Sequence, residues 1–369
     1  MPVTSHQQLL LDAGEQPCSA EWCPDAAAAS VLAVGTYQLD EASRQRLGKL
    51  LMYRLVPPDG DSSAPPQLLP LSSLALPGIF DLRWHPRSAM PQLAAALADG
   101  SVRLLAFGKS LEGGGSSGSD SSAAAAPPEA TVVPGGEEAA EGMAVSVDYA
   151  RAAGFEGEQL VTSFSSGQLQ LWQAAPAGLT SLASWQAHQL EAWAAAFDYW
   201  NPSLIHSGGD DCAYRLWDSR QGFDAPAWQS SKAHGAGVCC ASSSPHREHL
   251  VCTGSYDDRL RLWDVRSPKR PLQRAEVNTG GGVWRAKWHP SNPELLLAAC
   301  MYNGFAVLRA AAAESGGLEI LESYEHASGS LSYGADWCRD EAAAGGSGAS
   351  LAATASFYDR QLHLWSYCA

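Results

Sequence analysis

Thr253-Gly-Ser-Tyr-Asp-Asp-Arg-Leu-Arg-Leu-Trp-Asp264 is the stretch that decides the fold of this 369-residue chain. After a polar turn, Leu260 and Leu262 alternate with Arg259 and Arg261, and the run stops on Trp263. That is the two-residue period of a β-strand. The phrase returns as Gln168-Leu-Gln-Leu-Trp172, Ala213-Tyr-Arg-Leu-Trp217 and Gln361-Leu-His-Leu-Trp365, with weaker copies stopping at Tyr53, Leu105 and Leu308. A recurrence of this kind marks one supersecondary unit repeated, each unable to bury its apolar face alone.

The stops are separated by 52, 67, 45, 46, 45 and 57 residues. Three consecutive steps match the blade of a WD-repeat propeller, four short strands each. Trp217-Asp218 and Trp263-Asp264 carry the dipeptide itself, and strand-like alternation should turn one face inward and the other outward. His188 and His234 each precede their tryptophan by 29 residues, and Asp211, Asp257 and Asp359 precede theirs by six. His, Ser or Thr, Asp and Trp at these offsets predict a buried hydrogen-bonded tetrad, with His326 as the third, displaced histidine. Opening strands recur as Trp22-Cys-Pro, Trp84-His-Pro, Trp288-His-Pro and Ala335-Asp-Trp337. Only four residues follow Trp365, so His6–Asp12 is expected to supply the missing strand of blade 7 and close the ring, removing two exposed sheet edges. The expected architecture is all-β: one seven-bladed propeller over residues 1–369, ring closed by an N-terminal strand. Lys109–Gly142, nearly devoid of large apolar residues, is expected to be a disordered insert, and Asp340–Ser350 a short flexible one.

Composition narrows the function. A formal charge of −15 argues against nucleic acid or an anionic membrane as partner. Nine cysteines without C-x-x-C spacing fit reduced thiols and no zinc site. The N-terminus lacks a basic and apolar leader, and no apolar run is long enough to span a bilayer. A cytoplasmic monomer without a metal is expected.

Several apparent catalytic patterns dissolve on inspection. Gly114-x-Ser116-x-Gly118 lies in the low-complexity insert, without the strand and helix that a nucleophile elbow needs. Gly280-Gly-Gly282 opens a strand, so it cradles no phosphate. His234, Thr253 and Asp257 mimic a triad but belong to the tetrad set, where buried polar groups satisfy one another. His246-Arg-Glu-His249 falls on the opposite rim and reads as a solvated loop. What a blade does not need is the set of residues on the rim formed by blade-to-blade loops and by turns between second and third strands. Glu191, Trp193, Trp284, Arg285 and Tyr333 fall in the former; Asp210, Tyr256 and Tyr358 take one equivalent place in the latter. They bring two indoles, three phenols, two carboxylates and one guanidinium to the channel mouth.

Trp185-Gln-Ala-His-Gln-Leu-Glu-Ala-Trp193, Ser207-Gly-Gly-Asp-Asp211, Ser244-Pro-His-Arg-Glu-His249, Gly281-Gly-Val-Trp-Arg285, Tyr333-Gly-Ala-Asp-Trp337 and Ser356-Phe-Tyr-Asp359 resemble the WD-repeat diphthine methylesterases of diphthamide biosynthesis, as do Glu21-Trp-Cys-Pro24 and Val34-Gly-Thr-Tyr-Gln-Leu39. The likeness runs from about Cys18 to Tyr367, apart from the two inserts. It implies a hydrolase acting on a protein, the modified histidine of translation elongation factor 2. The reaction implied cleaves the methyl ester of methylated diphthine to diphthine and methanol, without a cofactor. The resemblance assigns no residue roles, so these are argued from chemistry. A trimethylammonium group cannot donate a hydrogen bond and is best held by aromatic faces, each worth roughly 0.5–2 kcal/mol; Trp193, Trp284, Tyr333 and Tyr358 are the candidate walls. Asp210 or Glu191 is the candidate base for water, and Arg285 or Tyr256 the candidate oxyanion donor. The alternative is a non-catalytic scaffold or adaptor for another enzyme of that pathway, since fold alone does not confer chemistry.

Overall fold

A computed structural model describes residues 2–57, 65–87, 90–107, 111, 130–133, 141–151, 158–175, 178–311, 317–326, 329–340 and 348–368. Their strands form seven antiparallel sheets. The inner strands, in ring order, are Pro17–Trp22, Ile79–Trp84, Ala144–Tyr149, Ala192–Phe197, Val238–Ser243, Arg285–Trp288 and Ser332–Trp337, and the last lies against the first. The seven-bladed propeller expected from the repeat is therefore present. The ring closes as the apolar N-terminal segment suggests, with the closing strand at Val3–Leu10 rather than 6–12. It pairs antiparallel with Gln361–Cys368, from Val3 opposite Tyr367 to Leu10 opposite Gln361.

Alternation sets the packing, although not as one buried and one solvated face. Leu260 and Leu262 join a cluster with Val283, Trp288 and Leu308 of blade 6, while Trp263 packs with Tyr214 and Trp228 of blade 4. Each blade is sandwiched between two others, so both faces of Arg259–Asp264 are buried. Each fully buried large side chain of this kind contributes about 1.5–3 kcal/mol.

The tetrad forms completely in blade 4. His188 lies 2.9 Å from Asp211 and 2.8 Å from Ser207 Oγ, which also accepts from Trp217 Nε1 at 2.9 Å. In blade 5, His234 and Trp263 share Thr253 Oγ1, but Asp257 turns to Arg261 and the Gly235 N–H instead of the histidine. In blade 7, His326 bonds Thr354 and Ser356, and Ser356 in turn donates to Asp359. The extra hydroxyl is how the ring absorbs the displaced histidine.

Inner strands have one sheet edge without a strand partner, and side chains satisfy it. Asp336 accepts from Trp22 N at 2.8 Å, Asp81 from Val147 N at 3.1 Å and Asp148 from Phe197 N at 3.0 Å, each from one blade to the next. Three of the four recurring opening tryptophans do the reverse: Trp84, Trp288 and Trp337 donate their indole N–H to inner-strand carbonyls of the preceding blade, whereas the Trp22 indole N–H is buried without a partner among the described residues. Buried backbone groups must find partners, and this accounts for the repeated aromatic at that position.

Within the insert at 109–142 the described residues require a correction. Ala130–Val133 form the outer strand of blade 2, paired with Leu104–Phe107, so that part is blade and not loop. Most of the insert, Ser116 included, and most of 340–350 lie outside the described residues. His246–His249 is likewise more than a solvated loop. His246 bonds His289 O at 2.8 Å, and Arg247 donates to Ala310 O and Ala311 O and lies 5.7 Å over Trp288. It latches blade 5 to blade 6, and among the described residues no cluster of metal-ligating side chains occurs. Among them, too, no helix is long and apolar enough to cross a membrane.

Candidate functional site

One backbone irregularity builds the mouth of the channel. In six inner strands the second residue is left out of the pairing register: Cys18, Phe80, Val145, Trp193, Cys239 and Tyr333. A β-bulge re-aims its side chain out of the alternation. In blade 6, Trp284 stands just before the inner strand, its N–H donating to Ala299 O at 2.9 Å. Four of these seven positions carry an aromatic that touches aromatics of other blades: Trp193, Trp284 and Tyr333 on one side and Phe80 on the far side.

The predicted aromatics converge. Trp193 and Trp284 centroids are 5.7 Å apart, Tyr256 is 6.3 Å from the first and 6.2 Å from the second, and Trp284 is 5.1 Å from Tyr333. The arc continues through Phe357, 5.5 Å from Tyr333, to Tyr37 and Phe80. Its floor is Cys239, Met301 and Leu331, all buried. Gly237 permits the close approach: a Cβ there would stand 2.5 Å from Asp210 Oδ1 and 3.0 Å from the Tyr256 ring.

Asp210 lies in the arc. Its Oδ1 accepts the Trp193 indole N–H at 3.2 Å, and its backbone N–H donates to Glu191 O at 2.8 Å, which ties together two acidic residues 19 apart in sequence. Burial pushes the Tyr256 phenol well above its ordinary range, with Cys239, Tyr333, Asp210 and Glu191 adding to it. Burial does the same to Tyr333. Both phenols are therefore held as neutral O–H donors, the form that stabilises an oxyanion.

Two of the expected residues sit elsewhere. Arg285 reaches across the channel to blade 2, donating to Asp81 Oδ1 at 2.7 Å and Phe80 O at 2.8 Å. Its two terminal nitrogens are committed to these buried acceptors, and Nε is left without a partner among the described residues. Tyr358 is 70% exposed on the outer lip. The residue equivalent to Tyr256 and Asp210 is Phe357: its N–H donates to Leu331 O as theirs do to Gly237 O and Glu191 O. Blade 7 has an extra residue in this turn, so counting back from Trp365 lands one position late. Tyr37 follows the second strand of blade 1 in the same way, its N–H on Gln16 O, and was legible as the residue directly after the expected strand Val31–Thr36. Cys239 and Met301 carry no comparable sequence signal, since an isolated apolar residue reads as core.

Fold and mouth together define a WD-repeat propeller whose channel entrance sets an aromatic arc beside a carboxylate. The family model for the WD domain, G-beta repeat, matches residues 228–264. The human protein named diphthine methyltransferase is 37% identical over 345 residues, covering 86% of this chain and 72% of that protein. Its Schizosaccharomyces pombe namesake is 28% identical, covering 91% and 90%. A chain in a solved structure titled "Crystal Structure of Mitotic Checkpoint Complex" superposes with TM-score 0.66 at 16% identity over 99% of this chain and 92% of that one, a likeness of fold alone. The chain belongs to the diphthine methyltransferase family.

Proposed function

We propose that this protein hydrolyses the methyl ester of methylated diphthine on translation elongation factor 2, in the cytoplasm. The observation that carries this reading is the Asp210 carboxylate held against the Trp193–Trp284–Tyr256 arc. The arc's aromatic faces suit the fixed trimethylammonium group of such a substrate. Asp210 or Glu191 takes a proton from water as the water oxygen bonds the ester carbonyl carbon. The Tyr256 O–H donates to the oxygen that becomes negative. Collapse breaks the bond to the methoxy oxygen, and the proton held by the carboxylate leaves with it as methanol. Nine free cysteines agree with a reducing compartment.

The family name suggests methyl transfer as a second reading, and one experiment separates the two. Purified protein is incubated with methyl-esterified elongation factor 2 in ¹⁸O-labelled water, with no methyl donor. Hydrolysis gives methanol and a carboxylate carrying one heavy oxygen. An unchanged substrate, or a reaction that starts only with a methyl donor, rejects the esterase; a scaffold leaves the substrate unchanged under both conditions.

A further inference from the structure

The channel has a second opening, on the rim formed by connections between first and second strands. Inner strands end there around a cavity of about 230 Å³. Arg83, Arg87, Arg151, Lys287 and Arg339 reach it, against the carboxylates of Glu21 and Asp336. A chain of net charge −15 has concentrated cations at one point.

Local acids neutralise only part of this charge. Arg83 pairs with Glu21 at 3.3 Å and with Asp148 at 3.2 Å, and Arg151 pairs with the same Asp148 at 3.2 Å. Asp336 gives one oxygen to the Trp22 N–H. Lys287 Nζ stands 3.8 Å from Glu21 Oε1, beyond hydrogen-bond reach, and makes no hydrogen bond among the described residues. Arg339 makes neither hydrogen bond nor ion pair among them, and its Nε is buried without a partner. Burial, with Arg83 beside it, holds the Lys287 ammonium below its ordinary range. Lys287 is thus only partly compensated and Arg339 has no pair among the described residues, and cations left so in a sheltered site are costly and attract a counter-charge.

We propose that this opening binds a small polyanion through its phosphate or carboxylate oxygens, with Lys287 and Arg339 as the primary contacts and Arg83 and Arg151 behind them. Guanidinium forks and ammonium donors are the groups that recognise such oxyanions. The cavity admits a molecule the size of pyrophosphate or citrate and is too small for a folded chain. It lies at the other end of the channel from the aromatic mouth, so it stands or falls independently of the esterase reading.

The full chain is titrated with sodium pyrophosphate and, separately, citrate by calorimetry and thermal unfolding, against sodium chloride at matched ionic strength. Saturable binding and a raised Tm with at least one of the two anions are expected, and which one binds tells phosphate from carboxylate recognition. Lys287→Met and Arg339→Gln should each weaken binding by about tenfold or more, the loss of one charge-assisted contact, while Trp193→Leu at the opposite mouth leaves it unchanged. Stabilisation matched by sodium chloride, or binding undiminished in the variants, overturns the proposal. Arg339→Gln breaks no ion pair among the described residues, so it stays informative if Lys287→Met fails to fold.

Discussion

Arg285 and Asp81 are 204 residues apart and belong to blades 6 and 2, yet their side chains meet at 2.7 Å inside the channel. Asp81 is 3% exposed in its side chain and also accepts from Leu82 N and Val147 N. The pair ties together opposite sides of the ring directly beneath the aromatic mouth. Removing one partner strands a buried charge, so Arg285→Met should cost about 3–5 kcal/mol. Adding Asp81→Asn should recover part of that, because asparagine keeps an acceptor for Val147 N–H without the charge. Denaturant unfolding of the two single variants and the double variant measures it; strictly additive losses would rule out the coupling.

Asp210→Asn keeps an acceptor for the Trp193 indole, and Glu191→Gln keeps the backbone carbonyl that holds Asp210. Both variants should fold normally. One of them should lower kcat on methyl-esterified substrate by about 10²–10⁴-fold, the range for loss of a general base, with little change in KM. Undiminished hydrolysis in both rejects the mouth as the catalytic centre.

Trp193→Leu and Trp284→Leu remove one aromatic face each while keeping apolar bulk. Each should raise KM by about 2- to 30-fold, the equivalent of one cation–π contact. A substrate analogue with a neutral tert-butyl group in place of trimethylammonium should show no such sensitivity. Equal losses on both substrates mean that the indoles act through packing only.

Tyr358 and Tyr302 project from the lip, 70% and 76% exposed. Tyr358→Ala should impair turnover of the intact protein substrate more than that of a short modified peptide, since only the former extends past the mouth. Steady-state kinetics on both substrates makes the comparison, and equal effects place Tyr358 outside the docking surface.

Blade 7 should make the protein acid-sensitive. His326 and His363 stack with centroids 3.6 Å apart, and burial pushes them down to about 3 and about 4. An unfolded histidine titrates near 6.5. Between that value and about 4 the unfolded chain holds more protons, so stability rises with pH across this window and is lost on acidification. Thermal unfolding from pH 7 to 4.5 should show a falling Tm, and His363→Gln should flatten the slope. An unchanged slope in that variant assigns the acid sensitivity to other groups; His234, lowered to about 4 in blade 5, is the next candidate.

Much of the fold and of the mouth is legible in the sequence. Leu260, Leu262 and Trp263, repeated at 45- and 46-residue steps, fixed strand, blade and ring, because a period-2 phrase that recurs has one way to bury all its copies. The need for a closing strand followed from the same count, and Trp193, Trp284, Tyr256, Tyr333 and Asp210 were assigned to one rim by position within the repeat. Tyr358 was misplaced by a one-residue lengthening of its turn that no spacing rule registers.

The sequence by itself determined the repeating unit, the number of blades and the rim on which each residue stands, since these follow from local alternation and chain order. Tertiary structure alone decided which side chains enter the channel and what they meet there. Bulges at Trp193, Cys239 and Tyr333 break the alternation from which side-chain direction is read. The partner of Arg285 lies in a blade reached only when the ring closes. Contacts across a closed ring depend on where distant strands end up in space, and no local pattern records that.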